Sequence, residues 1–189
     1  QVMAGIDAAK QAGFKRIKLN AVIMKGRNQD EIIDLAQFAI DNGMDISYIE
    51  EMPLGHVEHE RGESYCSSDE VFETLQTRFD LQPSIASTGG PSRYFQMAGT
   101  DSRIGFISPH SHNFCSSCNR VRVTTEGRLL LCLGQEHSMD LRDIIRRYPG
   151  DMLKLKQAIV KSMDIKPEGH EFNIEAKPVI FRHMSVTGG

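Results

Sequence analysis

Apolar residues recur at helical spacing through residues 2 to 14, where Val2, Met3, Ile6, Ala9 and Phe14 line one side and Gly13 offers a C-cap. The period then changes. "RIKLNAVIM" is rich in branched apolar residues and predicts a strand. "NQDEIIDLAQFAIDNG" returns to the helical period, with Asn28 as cap, Glu31 three residues on as in a capping box, and Gly43 as the stop. "MDISYIEEM" predicts the next strand. Helix, strand, helix, strand with short joints is half of a parallel α/β layer, whose further strands are expected upstream of Gln1.

After Met52 the pattern loosens. "PLGHVEHERGESYCSSDE" is a polar loop, followed by a helix over about 69–79 with Ser67 or Ser68 as cap. "STGGPS" reads as a loop, and "RYFQM" and "RIGFIS" as short strands. "RVRVTTEGRLLLC" alternates polar and apolar residues, turns at Glu126-Gly127 and returns apolar, which predicts a hairpin. "SMDLRDIIRRYPGDMLKLKQAIVKSM" predicts two helices broken at Pro149-Gly150. The end, with Pro167 and Pro178, has no clear period. There is no internal repeat.

Composition adds little. At 189 residues, 40% hydrophobic and 25% charged, the chain is an ordinary globular sequence of one or two domains. A net charge of -3 and a pI near 6.2 give no general attraction for nucleic acid or anionic membrane, so any anion site is a local cluster. No apolar run reaches the length of a membrane span, and the start lacks the features of a signal peptide. The expected compartment is a reducing cytosol, where a CxxC motif points to metal or redox chemistry rather than a disulfide.

The chemistry concentrates in "FCSSCNRVRVTTEGRLLLCL", which holds three of the four cysteines. Folding about Glu126-Gly127 sets Cys132 opposite roughly Val121 and near Cys118. A local hairpin thus gathers Cys115, Cys118 and Cys132. Three thiolates suit zinc with a histidine as fourth ligand, for which His110, His112 and His137 are nearby, or with Cys66 as a fourth thiolate. They can also hold three irons of a [4Fe–4S] cluster with one iron left open. Incidental or redox cysteines are the third reading. Arg120, Arg122 and Thr124 share a strand face beside them; a structural zinc has no use for two guanidiniums, whereas an open iron beside a bound phosphate does.

This segment resembles the cluster segment of the GTP 3′,8-cyclase family of molybdenum-cofactor biosynthesis, which are radical S-adenosylmethionine (SAM) enzymes. The resemblance continues through "GFKRIKLNAVIMKGRN", "YIEEMPLG", "GGPSRYFQMAG", "IGFISPHSHNFC" and the terminal "TGG". It implies that Cys115, Cys118 and Cys132 hold a [4Fe–4S] cluster facing guanine. It also implies that Arg120, Val121 and Arg122 line the GTP site, that Lys18 contacts GTP, and that Met52 borders SAM. Gly188 and Gly189 would form a tail entering the active site, where the family counts the tail and the paired arginines as catalytic.

The implied fold is α/β: residues 1–53 as the last units of a partial (β/α) radical SAM barrel, and 54–189 as an accessory cluster and GTP-binding region. The family's CxxxCxxC, which binds the SAM-cleaving second [4Fe–4S] cluster, is absent from these residues. The chain is therefore read as the C-terminal part of the enzyme, unable to start catalysis alone. The resemblance further implies a homodimer in the full-length protein and a place upstream of cyclic pyranopterin monophosphate synthase. Three rival readings stand beside it. One is a zinc-binding module and another a carrier with a modifiable Gly-Gly end, to which the length and hairpin are ill suited. The third is a related radical SAM maturase acting on another substrate.

Overall fold

The computed structural model describes residues 1–176, 180–182 and 187, so Pro178 and the Gly188-Gly189 tail lie outside the described residues. In chain order the elements are α1 (Val2–Gln11), β1 (Lys18–Ile23), α2 (Ile32–Asp41), β2 (Asp45–Glu50), α3 (Arg61–Ser64) and α4 (Ser68–Gln76). Then come β3 (Leu81–Pro83), β4 (Arg93–Met97), β5 (Arg103–Ile107), β6 (Arg122–Val123), β7 (Arg128–Leu130), β8 (Ser138–Asp140), α5 (Leu141–Arg147) and α6 (Met152–Ser162). They form two compact units, residues 1–51 with 63–113, and residues 52–62 with 114–189.

The first unit is an α/β layer on a five-stranded mixed sheet of order β1-β2-β5-β4-β3. β1, β2 and β5 run parallel, and β4 and β3 continue antiparallel. The sheet therefore runs on well past residue 53, where the change in composition suggested a boundary. The reason lies in "RIGFI". Its residues are buried throughout or nearly so, as a strand inside a sheet requires, although a polar loop, two helices and two strands separate it from β2 in the chain. One sheet face carries Leu19, Ala21, Ile23, Ile46, Tyr48, Phe95, Ile104 and Phe106, packed with Ile32, Ala36, Ala39, Val71 and Leu75 from α2 and α4. Each large apolar side chain fully buried here contributes about 1.5–3 kcal/mol.

The helix ends show which cap signals hold. Ser67 caps α4 in a true capping box: its Oγ accepts the Glu70 amide at 3.2 Å, and Glu70 Oε2 accepts the Ser67 amide at 2.9 Å. Asn28 does not cap α2. A 3-10 turn over Gln29–Glu31 intervenes, and the Asn28 side chain turns back to β1, accepting from the Met24 amide and donating to the Val22 carbonyl. Gly43 ends α2 as expected, at φ 64° with the Met44 amide reaching the Ala39 carbonyl at 2.8 Å.

The second unit holds an antiparallel sheet of order β6-β7-β8. Its hairpin turns at Thr125-Glu126 with Gly127 at φ 79°, and Thr124 pairs with Arg128 across the loop. This is the three-residue loop in which glycine takes the left-handed position. "SMD" extends as β8 rather than starting a helix, because it pairs with β7 and delivers Met139 to a core of Leu129, Leu131 and Leu141. Asp140 then caps α5 and Asp151 caps α6, on either side of the Pro149-Gly150 break. Among the described residues no helix is long and apolar enough to cross a membrane.

Candidate functional site

Cys115 opens a 3-10 turn over Cys115–Ser117, and the Cys118 amide closes it on the Cys115 carbonyl at 3.0 Å. Small Ser116 and Ser117 permit this tight turn, and Ser117 Oγ donates to the Phe114 carbonyl. Cys118 leaves the turn extended, toward β6. The β6–β7 register pairs Arg122 with Leu130 and Val123 with Leu129. Carried on two places, it sets Cys132 across from Arg120, one pair nearer to Cys118 than the expected position opposite Val121.

None of the three thiols is in a disulfide, and all are half-buried. Burial pushes the Cys118 thiol up, but hydrogen bonds from the Arg120 backbone and side chain, with the charges of Arg120 and Lys166, bring it below its ordinary value. The Arg120 guanidinium also lies 4.9 Å over the Phe114 ring. Arg122 is half-buried on β6 and Val121 is exposed between the two arginines. Among the described residues no carboxylate pairs with either guanidinium. Gly169 approaches Cys115, where a side-chain carbon on it would stand 3.7 Å from Sγ, and Gln135 holds the Gly169 carbonyl at 2.9 Å.

Among the described residues no three His, Cys, Asp or Glu side chains stand grouped to hold a metal ion. The hairpin brings the three cysteines into one segment without converging their sulfurs. The donor set itself suits a soft metal: three unoxidised thiols, one of them acidified, beside cations rather than carboxylates. Three of the four candidates for a further ligand are engaged otherwise. His110 Nε2 lies 3.0 Å from the Glu51 carbonyl, and His112 Nε2 lies 2.8 Å from Asp69 Oδ1. Cys66 is 4% exposed within the core of the first unit, where burial raises its thiol. His137 remains, exposed, with its carbonyl accepting the Leu131 amide.

Lys18 stands in the first unit, on the face of β1 opposite Leu19. Its Nζ is 3.4 Å from Tyr94 Oη, which also meets Thr88 Oγ1 at 3.1 Å. Burial raises the Tyr94 phenol, while the Thr88, Ser92 and Lys18 contacts bring it below its usual value. Met52 is half-buried at the start of the loop after β2, its carbonyl accepting from Leu54.

One residue escaped sequence reasoning. Lys166 donates to the Leu131 carbonyl at 2.6 Å and the Arg120 carbonyl at 3.3 Å, between the legs of the hairpin. Its signal in the sequence was only Pro167, which ends the preceding helical stretch.

Residues 44–172 match the family described as Molybdenum Cofactor Synthesis C. The chain is 59% identical over 191 residues to a protein of Pseudomonas entomophila (strain L48) named GTP 3′,8-cyclase, the match covering 100% of the chain and 57% of that protein. It is 55% identical over 190 residues to one of Pseudomonas aeruginosa named GTP 3′,8-cyclase 2, with 100% and 57% covered. It is 56% identical over 190 residues to a GTP 3′,8-cyclase of Marinobacter nauticus, with 100% and 58% covered. The chain thus spans somewhat over half the length of the curated relatives it matches.

Proposed function

The chain belongs to the Molybdenum Cofactor Synthesis C family, and on that premise we propose that it is the substrate-binding part of a GTP 3′,8-cyclase acting early in molybdopterin synthesis. The observation that carries this reading is the trio of reduced thiols Cys115, Cys118 and Cys132 with Arg120 and Arg122 interleaved, the guanidiniums without carboxylate partners among the described residues. Those cysteines would hold a [4Fe–4S] cluster, which supplies one iron with an open position for a purine nitrogen or oxygen.

The chain's own residues do the rest. Arg120 and Arg122 offset the charge of a nucleotide triphosphate, and a guanidinium fork fits phosphate oxygens in pairs. The exposed Val121 between them offers backbone groups to the base. Within the first unit Lys18, with Tyr94 beside it, presents an ammonium suited to phosphate, and Met52 is assigned to SAM. Their benefit is positioning: ribose and guanine must be held so that a ribose carbon can close onto the base, giving (8S)-3′,8-cyclo-7,8-dihydroguanosine 5′-triphosphate. SAM cleavage, which uses a second [4Fe–4S] cluster, is assigned outside these 189 residues because they contain no CxxxCxxC.

With His110, His112 and Cys66 engaged elsewhere, His137 alone of the four candidates is left to close a four-ligand zinc site. The test is oxygen-free reconstitution with iron and sulfide, followed by spectra with and without GTP. A GTP-dependent spectral change is expected. A colourless zinc protein indifferent to nucleotide would overturn the reading. In the same preparation, SAM, reductant and GTP should yield no 5′-deoxyadenosine above a cysteine-free control.

A further inference from the structure

We propose that Lys166 is a positioning residue of the cysteine site, a clasp that holds the open end of the hairpin together, so that a metal need draw Cys118 and Cys132 only a short way to bind both. The inference rests on the reading of the three cysteines as metal ligands, and it does not depend on which metal they take.

The β6–β7 ladder is short, pairing Arg122–Leu130 and Val123–Leu129 before the Thr124–Arg128 closure of the loop. Beyond it, toward the cysteines, the two legs of the hairpin have no ladder pair to hold them. The Lys166 ammonium sits at that point. It donates to the carbonyl of Leu131, the residue directly before Cys132, and to the carbonyl of Arg120, two residues after Cys118. Two carbonyl dipoles converging on one spot repel each other. A cation with three donors and no acceptor reverses that repulsion.

The lysine is delivered by packing rather than by chance. Leu155 of α6 packs against Leu129, Leu131 and Leu141, which fixes the helix beneath the hairpin. A 3-10 turn over Met163–Ile165 follows α6, and Pro167 keeps Lys166 itself extended, at φ -67° and ψ 122°. The Lys166 amide closes the turn on the Met163 carbonyl at 3.1 Å. The strand end and the helix end are thus joined through one side chain, next to Cys132 and two residues from Cys118. Partners that orient metal ligands in this way typically account for about 10- to 100-fold in metal affinity.

The test titrates cobalt(II), then iron with sulfide, into the oxygen-free 189-residue chain as wild type, Lys166→Arg and Lys166→Met. The readouts are thiolate-to-metal absorption and dissociation constant. Lys166→Met should bind cobalt about 10-fold or more weakly, with fewer thiolates reporting, while Lys166→Arg, which keeps a cationic donor, recovers most of the affinity. Lys166→Met within twofold of wild type and with the same spectrum overturns the clasp. So does a loss that follows only a collapse of the metal-free near-ultraviolet signal and that arginine does not rescue. Wild type that takes up neither metal overturns the underlying metal reading, an outcome distinct from equal binding by wild type and variant.

Discussion

Arg103 holds Asp45 in a three-point grip: its Nη2 and Nε lie 2.6 and 3.1 Å from Oδ2, and its own amide lies 2.9 Å from Oδ1. The pair joins the first residues of β2 and β5, and both are nearly buried, at 3% and 9% exposure. The hydrogen bond to Asp45 raises the Arg103 pKa above its ordinary value, ahead of the opposing cost of burial. Losing one member strands the other charge away from water. Asp45→Ala should cost about 3–5 kcal/mol, read as a lower urea midpoint with an unchanged slope. A loss under about 1 kcal/mol would show the pair to be as weak as a surface ion pair.

Glu50 gives a pH-dependent counterpart. Its carboxylate accepts the amides of Ser68, His110 and Ser111 at 2.9, 2.9 and 3.1 Å, as well as the Ser111 hydroxyl. Burial pushes its pKa up, but these hydrogen bonds outweigh it and hold the group below the ordinary value of 4.5. The folded chain therefore keeps Glu50 charged where the unfolded chain has already taken up a proton. Its contribution is full above about pH 4.5 and fades as the pH falls through the folded value. Glu50→Gln should be destabilised by about 1–3 kcal/mol at pH 7, and the gap to wild type should narrow in acid unfolding curves below that point. A gap constant with pH would contradict it.

Gly105 tests the packing of the sheet's polar face. A side-chain carbon there would meet Ser92 Oγ in a forbidden clash and stand 2.7 Å from Ser47 Oγ and 2.9 Å from Tyr94 Cε1. Gly105→Ala should lower the melting temperature by the equivalent of about 1–3 kcal/mol. Removing the nearest obstacle in Gly105→Ala with Ser92→Ala should recover part of that loss, although the Ser47–Ser92 hydrogen bond at 2.9 Å is then gone.

What could be read from the sequence, and what could not, divides along a physical line. Local signals carried through: a serine cap at Ser67, the stop at Gly43, the glycine of the hairpin turn, the break at Pro149-Gly150. Each depends on residues within a few positions of one another. Failures came where distant partners decide. "SMD" is a strand because β7 lies beside it, and the sheet passes residue 53 because "RIGFI" pairs with β2 from more than fifty residues away. The site divides likewise. The cysteines and arginines announce themselves as a motif, whereas Lys166 acquires meaning only once α6 is folded beneath the hairpin.

Cysteine substitutions separate ligands from filler. Cys115→Ser, Cys118→Ser and Cys132→Ser should each sharply lower iron bound per chain after reconstitution, because a hydroxyl is a poor ligand for soft iron–sulfur chemistry. Cys66→Ala should leave iron content unchanged and cost about 1–2 kcal/mol, since its side chain is buried in the core of the first unit. Iron loss in Cys66→Ala equal to that in the other three would make it a fourth ligand.

The arginines answer a different question, whether they meet phosphate or merely line a strand. A guanidinium bonded to a charged oxygen contributes about 1.5–3 kcal/mol, so Arg122→Ala should weaken GTP binding to reconstituted chain by roughly 10- to 100-fold. Arg122→Lys restores the charge but not the paired donors, and should recover only part. Guanosine, which has no phosphate, should bind wild type and Arg122→Ala alike. If guanosine loses as much affinity as GTP, Arg122 acts on the base or on the fold of the hairpin, and its role in neutralising phosphate is refuted. Added salt sharpens the comparison: screening should weaken GTP binding to wild type more than to Arg122→Ala, because the variant has already lost the Coulombic share.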